Sequence, residues 1–276
     1  MIKIENTEVM GWEAAIRGMR NPMNSWERSD SERKYESWHD MSGGEFTIGP
    51  NDHDLMIRLA AGGSVHAKYR RMITVYVDVT APLYWWKEFD TYKVGTVANS
   101  CSTMHKIAAK EFTLEDFSCE HLGVTVPAEL NDGEEVFQNL WIESLKRTIK
   151  DLNIARGYYI HEQNADLKKK YWWQMIQLLP SSYNQKRTVM LNYEVLAGIY
   201  ISRKDHKLDE WKEFCKWIES LPYSEVIVGI QNKDGSLSQP IKEQEMINVY
   251  GQLIPKKDIE KHGDYNNAVF NGEYKC

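Results

Sequence analysis

A run of small and polar residues could form a binding loop in the first half of the chain. The run is Gly95-Thr96-Val97-Ala98-Asn99-Ser100-Cys101-Ser102-Thr103. Such residues are poorly suited to filling a core, and they offer hydroxyl, amide, thiol and backbone N–H groups at one place. These are the groups that an oxyanion or a nucleotide site needs. The sequence therefore predicts a ligand-binding loop here.

A second set of polar residues lies near the end of the predicted helices. Asn192 and Arg203 are 11 residues apart, which is close to three turns of a continuous helix, so both would lie on one face. Leu196 and Ile199 lie between them, and His206 follows within one turn of Arg203. This face resembles the wall of a pocket for a flat polar ring. The alternative is a helix whose Asn and Arg merely reach solvent at its two ends.

An alternating strand and an aromatic helix must position the loop. Val75, Val77 and Val79 alternate with polar residues, the pattern of a half-buried strand. Pro82 suits the first turn of a following helix, because the amide that proline lacks would have no partner there. Further aromatic residues in the runs 84–86 and 171–173 suit either a core or subunit contacts.

The remaining pattern predicts one domain, residues 1–230, followed by a polar appendage, residues 231–276. Asn51 and Asp52 are candidate caps for a helix that ends at Gly62-Gly63. The segment 27–50 has no period and is predicted to be a loop or a short hairpin. Other predicted elements are an edge strand at 1–10 and helices at 12–19, 134–153, 164–179, 187–202 and 209–221.

Composition narrows the class of protein. The chain has 276 residues, a formal net charge of −6 and a pI near 5.8, which argues against a surface built to grip nucleic acid. No apolar run is long enough to span a bilayer, and the N-terminal segment has no signal-peptide pattern. The four cysteines are widely spaced and predict reduced thiols with no metal site. These features predict a cytoplasmic protein.

Several stretches resemble the flavin-dependent thymidylate synthases over roughly residues 50–222. The family's H-x-x-P-F-E-H turn and its following strand, which ends in Ala-Pro, resemble the chain up to Ala81-Pro82, with His66 on the first His. Its signature RHRxxSxNExSxR then lands on residues 91–103. The family's Leu-Pro element resembles Leu179-Pro180. Its T-V-N-x-R-S…L-R-x-x-x-H…W-E stretch resembles residues 188–211.

The signature is altered at its charged positions. Its three arginines become Thr91, Lys93 and Thr103, and its serines become Thr96 and Cys101. Its Asn and Glu fall on residues 98 and 99, whereas a slip of one residue would match Asn99 and Ser102 to the family's Asn and second Ser. The arginine before the Leu-Pro element is also replaced. Threonine cannot supply the planar fork by which arginine holds a phosphate. The neighbouring residues 105 and 106, a His and a Lys, are a hypothetical compensation.

The resemblance implies an α+β fold with a twisted, mostly antiparallel sheet flanked by helices. It implies reductive methylation of dUMP, with FAD as cofactor and with NADPH and methylenetetrahydrofolate as co-substrates. Arg203 would be catalytic by polarising the pyrimidine, and a homotetramer would form the sites between its subunits. The alternative is a relative that binds a nucleotide or a protein partner without this catalysis. The implied nucleotide-binding residues are Lys93, Thr96, Asn99, Cys101, Ser102 and Thr103, and the implied flavin-binding residues are His66, Asn192 and His206.

Overall fold

The computed structural model describes residues 2–34, 45–129, 135–229, 246–249 and 252–255. The strands are β1 (Lys3–Met10), β2 (Glu32–Lys34), β3 (Glu45–Thr47), β4 (Thr74–Pro82), β5 (Val97–Ser100), β6 (Val126–Glu129), β7 (Glu135–Gln138), β8 (Asn184–Asn192), β9 (Met246–Val249) and β10 (Gln252–Pro255). The helices are α1 (Trp12–Arg20), α2 (Pro50–Ala61), α3 (Leu83–Phe89), α4 (Thr103–Lys106), α5 (Leu140–His161), α6 (Ala165–Leu178), α7 (Tyr193–Arg203), α8 (Asp209–Glu219) and α9 (Glu225–Val228).

The main sheet has four strands in the order β1-β4-β8-β5, and all of its pairings are antiparallel. Three further two-stranded hairpins pair β2 with β3, β6 with β7 and β9 with β10. The register of the central pair runs from Thr74 opposite Asn192 to Pro82 opposite Asn184. An α+β fold with an antiparallel sheet is therefore confirmed.

The two faces of the main sheet differ in polarity, as alternation requires. One face is buried against helices and carries the valines of β4 together with Val189 and Leu191. On the other face, Asp78 accepts hydrogen bonds from Thr188 and Asn6 and lies 3.1 Å from the Lys186 ammonium. These contacts, first of all the one from Thr188, lower the pKa of Asp78 to about 2. This face is built as a polar surface.

Aromatic side chains from α3 and α8 fill the core above the buried face of the sheet. Trp85 lies 4.8 Å from Trp86 and 4.8 Å from Trp211, measured between ring centroids, and it stacks on Phe89. All four side chains are buried. The first aromatic run of the sequence is therefore mainly core within the described chain, since Trp85 and Trp86 are buried while Tyr84 is partly exposed.

A second, smaller core lies beneath the hairpin of α5 and α6. Leu145, Ile149 and Leu152 of α5 pack with Met175 of α6. The loop that follows α4 contributes Phe112 and Phe117 to the same cluster. The Asn153 side chain ties this loop to α5, because its amide oxygen accepts from the Phe112 N–H and its nitrogen donates to the Phe112 carbonyl, both at 2.8 Å.

Three predicted elements were wrong in type or extent. The predicted helix at 187–202 is in fact the end of β8 followed by α7, because the alternating segment up to Asn192 completes the central strand pair. The predicted loop contains β5, which pairs with the edge of β8. Helix α5 begins at Leu140 rather than near residue 134 and continues to His161. Tertiary pairing decides each case, since isolated propensity is weak.

The predicted caps of α2 were also wrong. The helix begins at Pro50, after Gly49, and not at Asn51 or Asp52. Proline at the first position is favourable because its missing N–H would have no helical partner. The remaining helices at 12–19, 164–179 and 209–221 and the edge strand at the N-terminus are confirmed to within a few residues at each end.

The predicted appendage lies mostly outside the described residues. Within it, only the antiparallel hairpin of β9 and β10 belongs to the part of the chain that the structure describes. The division at residue 230 therefore stays a prediction. None of the helices among the described residues is both long enough and apolar enough to cross a membrane.

A buried ion pair ties α1 to α2. The Arg20 Nε donates to Asp52 at 2.5 Å, and both side chains are almost fully buried. Burial would raise the pKa of the Asp52 carboxyl, but hydrogen bonds from Ser31, Ser29 and Arg20 hold that pKa below its ordinary value. The stabilisation that this carboxylate provides is therefore present at neutral pH and is lost as the pH falls through the lowered pKa.

Replacing Asp52 by Ala should lower the free energy of unfolding by about 3–5 kcal/mol, because the Arg20 guanidinium is left buried without a partner. The matched control is Asp54→Ala on the same helix. The pair of Asp54 with Arg58 is solvent-exposed, so this change should lower the free energy of unfolding by less than about 0.5 kcal/mol. Urea unfolding at pH 7 measures both variants. Equal effects in the two variants would contradict the assigned role of the buried pair.

Candidate functional site

The segment that enters the predicted loop lies along α7. At one end, the Arg203 Nε donates to the Tyr92 hydroxyl at 2.8 Å. At the other end, Gly95 approaches the start of α7 so closely that an added Cβ would lie 3.0 Å from the Asn192 Nδ2 and 3.1 Å from a methyl group of Val195. The backbone φ of Gly95 is 74°, a conformation that favours glycine. The loop and α7 therefore meet within one protomer.

The Arg203 side chain is held in a fixed orientation. Its Nη1 donates to the Glu88 carboxylate at 2.8 Å. Its guanidinium carbon lies 4.7 Å from the ring centroid of Trp211 and 5.6 Å from that of Tyr92. Cations over aromatic faces are stabilised by the ring quadrupole. The Nη2 atom has no hydrogen-bond partner among the described residues, and the side chain is 18% exposed.

Glu88 is the centre of this cluster and was missed by the sequence analysis. Besides Arg203, its carboxylate accepts from the Trp211 indole N–H at 2.8 Å and lies 3.5 Å from the Nε2 of His206. The His206 Nδ1 accepts from the backbone N–H of Leu208 at 3.2 Å. Glu88 follows an aromatic run in α3, and nothing in its local pattern distinguishes it from a solvent-exposed helix residue.

Asn192 is not on a helix face, contrary to the prediction. It is the last residue of β8 and the N-cap of α7, and its Oδ1 accepts from the backbone N–H groups of Glu194 and Val195 at 3.1 Å. Asn192 and Arg203 therefore lie at opposite ends of α7, about 16 Å apart along its axis. Both residues lie against the segment from Tyr92 to Gly95, but they do not share one face of the helix.

Thr96 carries an unsatisfied polar atom next to Gly95. Its Oγ1 is buried and has no hydrogen-bond partner among the described residues. A buried hydroxyl normally has a partner, so a polar ligand atom here would supply one. Lys93, two residues before Gly95, has an exposed side chain.

The other predicted nucleotide-binding residues follow along β5 and α4. Asn99 stands opposite Thr188 on the open face of the sheet. The backbone N–H of Cys101 donates to the Lys186 carbonyl, and its own carbonyl accepts from Gln185. Ser102 caps α4 by accepting from the His105 N–H at 3.1 Å, and Thr103 begins that helix. These residues thus run from the edge strand β5 into α4 instead of gathering in one loop.

The histidine and lysine candidates for ligand contacts lie at different places. His66 precedes the 3-10 helix Ala67–Met72, and its backbone N–H donates to the Gly63 carbonyl. His105 and Lys106 are exposed in α4, close to the capping Ser102. The described contacts bring neither His66 nor Lys106 to Arg203.

Arg187 is a further cation beside the signature segment that the sequence analysis did not select. It stands opposite Ser100 in the pairing of β5 with β8. Its guanidinium lies 4.2 Å from the Trp86 ring centroid and donates to Asp90 at 2.7 Å and to Gln185 at 2.9 Å. The signal that could have identified it is the alternation of β8, which was interpreted as a helix.

The described residues contain no group of three or more His, Cys, Asp or Glu side chains placed to hold a metal ion. Three thiols, those of Cys101, Cys119 and Cys215, are free in this part of the chain. Burial raises the pKa of the Cys215 thiol to about 12, so that thiol is protonated at neutral pH and is a weak nucleophile.

Comparison with solved structures identifies the architecture. Thymidylate synthase X from Helicobacter pylori, solved with FAD and dUMP, is 14% identical, with a TM-score of 0.53 over 88% of this chain and 100% of that chain. A second structure of the flavin-dependent thymidylate synthase of Helicobacter pylori, complexed with FAD and dUMP, is 14% identical and has a TM-score of 0.52 over 81% of this chain and 96% of that one.

The fold is that of the flavin-dependent thymidylate synthases. At 14% identity the similarity establishes the fold alone. No protein-family model and no curated protein sequence matches the chain. The function must therefore be argued from the site.

Replacing Glu88 by Ala should lower the free energy of unfolding by about 1–3 kcal/mol, since it leaves Arg203 and the Trp211 indole N–H without their acceptor. Glu88→Gln retains one acceptor oxygen and should cost less. Lys87→Ala, an exposed change on the same helix, is the matched control. Thermal and urea unfolding measure the three variants, and an Ala variant as stable as the Lys87 control would show that Glu88 does not organise this cluster.

Proposed function

We propose that the chain is a flavin-dependent enzyme of the thymidylate synthase type. It would transfer a one-carbon unit from methylenetetrahydrofolate to a deoxyuridine nucleotide, using FAD and NADPH. The observation that carries this proposal is the arrangement of Arg203 and Asn192 against one segment, Tyr92–Gly95, in a chain with this fold. The two solved structures of this fold named above, both of the Helicobacter pylori enzyme, contain FAD and dUMP.

Several polar atoms of the site fit a flavin and a pyrimidine. The buried Oγ1 of Thr96 lacks a partner, and the Nδ2 of Asn192 remains a donor because its Oδ1 alone is used by the helix cap. The Nη2 of Arg203 is likewise unused by the described residues. When bound, FAD would supply the hydride chemistry, and the protein would supply binding and orientation.

The role proposed for Arg203 is electrostatic. A guanidinium that Glu88 and Trp211 hold in place needs no reorganisation when negative charge develops on a nearby carbonyl oxygen. The Glu88 carboxylate reduces the net positive charge of the pair, so Arg203 would act through directed N–H donors rather than through free charge. Glu88, Tyr92 and Trp211 would be positioning residues for this guanidinium.

The nucleotide phosphate must be held differently from the pattern of the family, because Thr91 and Thr103 stand where the signature has arginines. His105 and Lys106 are exposed directly after the signature segment, and Arg187 lies across the strand pair from Ser100. These cations would supply the phosphate contacts. A homotetramer with sites between subunits, proposed from the family resemblance, would allow cations of a second copy to contribute as well.

Titration of the full chain with FAD should give a yellow complex whose absorbance NADPH bleaches. Asn192→Asp retains the oxygen that caps α7 but replaces the Nδ2 donor by a negative charge, so it should weaken FAD binding by about tenfold or more. Ile201→Ala changes an exposed residue of the same helix and should bind FAD like the wild type. A colourless protein that takes up no FAD would contradict the proposal and favour a relative that binds a nucleotide or a protein partner without this catalysis.

Replacing Arg203 by Lys keeps the charge but removes the planar fork, and it should slow methylation of dUMP by about 100-fold or more. The readout is the methylated nucleotide, detected by mass spectrometry after incubation with methylenetetrahydrofolate and NADPH. Lys207→Ala, a change at an exposed residue four positions beyond the end of α7, is the control. Arg203→Lys with full activity would exclude the proposed catalytic role.

The double variant His105→Ala, Lys106→Ala should bind dUMP about tenfold or more weakly, since each phosphate contact to a charged group is substantial. Its binding of deoxyuridine, which lacks the phosphate, should be unchanged. Calorimetric titration measures both ligands. Unchanged dUMP affinity would remove these residues from the phosphate site, and the same comparison with Arg187→Ala would then test the cation on β8.

A further inference from the structure

The outer face of α5 carries exposed apolar side chains that its own hairpin does not cover. Its inner face carries Leu145, Ile149 and Leu152, which are buried. On the opposite side, Ile154 is 49% and Tyr158 is 59% exposed. A helix that buries one face in its own core ordinarily presents polar residues on the other. Exposed apolar side chains that share one face indicate an interaction surface.

The exposed residues follow a regular spacing. Six residues of α5 recur at alternating intervals of four and three, and we call them the outer stripe. They are Leu140, Ser144, Arg147, Asp151, Ile154 and Tyr158. All six are exposed. This 3.5-residue repeat is the one by which two helices pack along a common seam. The helix has 22 residues and is about 33 Å long, enough for the six layers that these residues would form with a second helix.

We propose that α5 pairs with α5 of a second copy of this chain, antiparallel, through the outer stripe. In one register every layer is complementary. Leu140 meets Tyr158 of the second copy, the small Ser144 meets Ile154, and Arg147 meets Asp151. Each layer occurs twice, because a two-fold interface is self-complementary. Neither Arg147 nor Asp151 has an ion-pair partner within the described part of the chain.

Other arrangements of the same two helices are unfavourable. A parallel pair would place Arg147 opposite Arg147 and Asp151 opposite Asp151. Shifting the antiparallel register by one heptad in one direction would place Asp151 against Leu140 and Arg147 against Ser144. Shifting it in the other direction would place Arg147 against Tyr158 and Asp151 against Ile154. Like charges and unpaired buried charges are costly, so the charge pattern selects a second copy in one orientation.

The surface next to the stripe leaves room for a partner helix. The last turns of α5 line a shallow open groove that includes Asn153, Gly157 and His161. Nothing lies within 4 Å of the position that a Cβ of Gly157 would take. Tyr158, at the edge of this groove, is steadied by stacking on Tyr171 of α6, with ring centroids 5.1 Å apart. The first turn of the second helix would lie here. This inference does not depend on the proposed function.

The test is the mass of the full chain in solution, measured by analytical ultracentrifugation over a range of concentrations. The wild type should form a dimer or a larger even-numbered assembly. Arg147→Asp alone and Asp151→Arg alone each place like charges opposite one another at two layers, and each should weaken the association by about 100-fold, giving half the wild-type mass. The variant with both changes restores the pairs and should recover the wild-type mass.

Lys146→Asp makes the same charge change one residue away from the stripe and should leave the mass unchanged. A monomeric wild type would overturn the proposal, as would single charge variants with the mass of the wild type. Failure of the double variant to recover the wild-type mass would also overturn the proposal. Circular dichroism checks that the single and double variants are folded.

A chemical crosslink tests the register separately. Leu140 and Tyr158 of one helix are about 27 Å apart along its axis, so a short bismaleimide can join cysteines at these positions only between two chains. In a background in which Cys101, Cys119 and Cys276 are replaced by Ser and the buried Cys215 is kept, the variant with Leu140→Cys and Tyr158→Cys should give a covalent dimer, while either introduced cysteine alone should not. A dimer of equal yield from the single variants would exclude this register.

Discussion

The antiparallel pairing of β4 with β8 positions everything else in the candidate site. Nine consecutive residue pairs join the two strands, from Thr74 opposite Asn192 to Pro82 opposite Asn184. Because the strands are antiparallel, α3 and α7 begin at opposite ends of the pair and run back over the same buried face. They therefore converge, and Arg203 at the end of α7 reaches Glu88 near the end of α3. A slip of one residue in this register would turn the buried valines to the open face.

The same geometry holds Arg203 in place although all three signature arginines are replaced. Arg203 is fixed by the Glu88 carboxylate and by the rings of Tyr92 and Trp211. Tyr92 lies in the signature segment but at none of its arginine positions, so the orientation of Arg203 does not depend on the replaced arginines. The lost arginines would affect phosphate binding instead, where a planar fork is most useful. Under the proposed function, the pyrimidine contact of Arg203 and the phosphate contacts lie at separate places, so the replaced arginines would change the second without changing the first.

The α+β fold class was expected from the family resemblance, and several individual elements were predictable because their patterns are local. The alternation of β4 and the helical periods of α6 and α8 are visible in single segments, and the structure confirms them. The strand β8 was misread because its apolar residues run directly into those of α7, and Asn192, which separates the two elements, looks like a helix residue until the pairing with Thr74 is known. Strand β5 was missed for a related reason: all four of its residues are exposed, so its sequence has no alternation of apolar and polar residues.

The candidate site was only partly predictable. Asn192, Arg203 and Thr96 came from residue chemistry and family resemblance, and the structure places the first two against one segment. Glu88 could not be selected, since its partners Arg203 and Trp211 lie 115 and 123 residues away in the chain. Arg187 was missed because the alternation of β8 was interpreted as a helix. Conversely, Asn99 and Cys101 were grouped with the others by their nearness in sequence. Asn99 lies in the edge strand β5, Cys101 lies just past the end of that strand, and Ser102 already caps α4.

A crystal structure of the full chain with FAD and dUMP would test the central claim most directly. We expect the pyrimidine carbonyl to lie within hydrogen-bonding distance of the Arg203 guanidinium, and we expect the flavin to contact Asn192 and Thr96. Nucleotide bound away from Arg203, with that guanidinium still enclosed by Glu88, Tyr92 and Trp211 and facing no ligand, would contradict it.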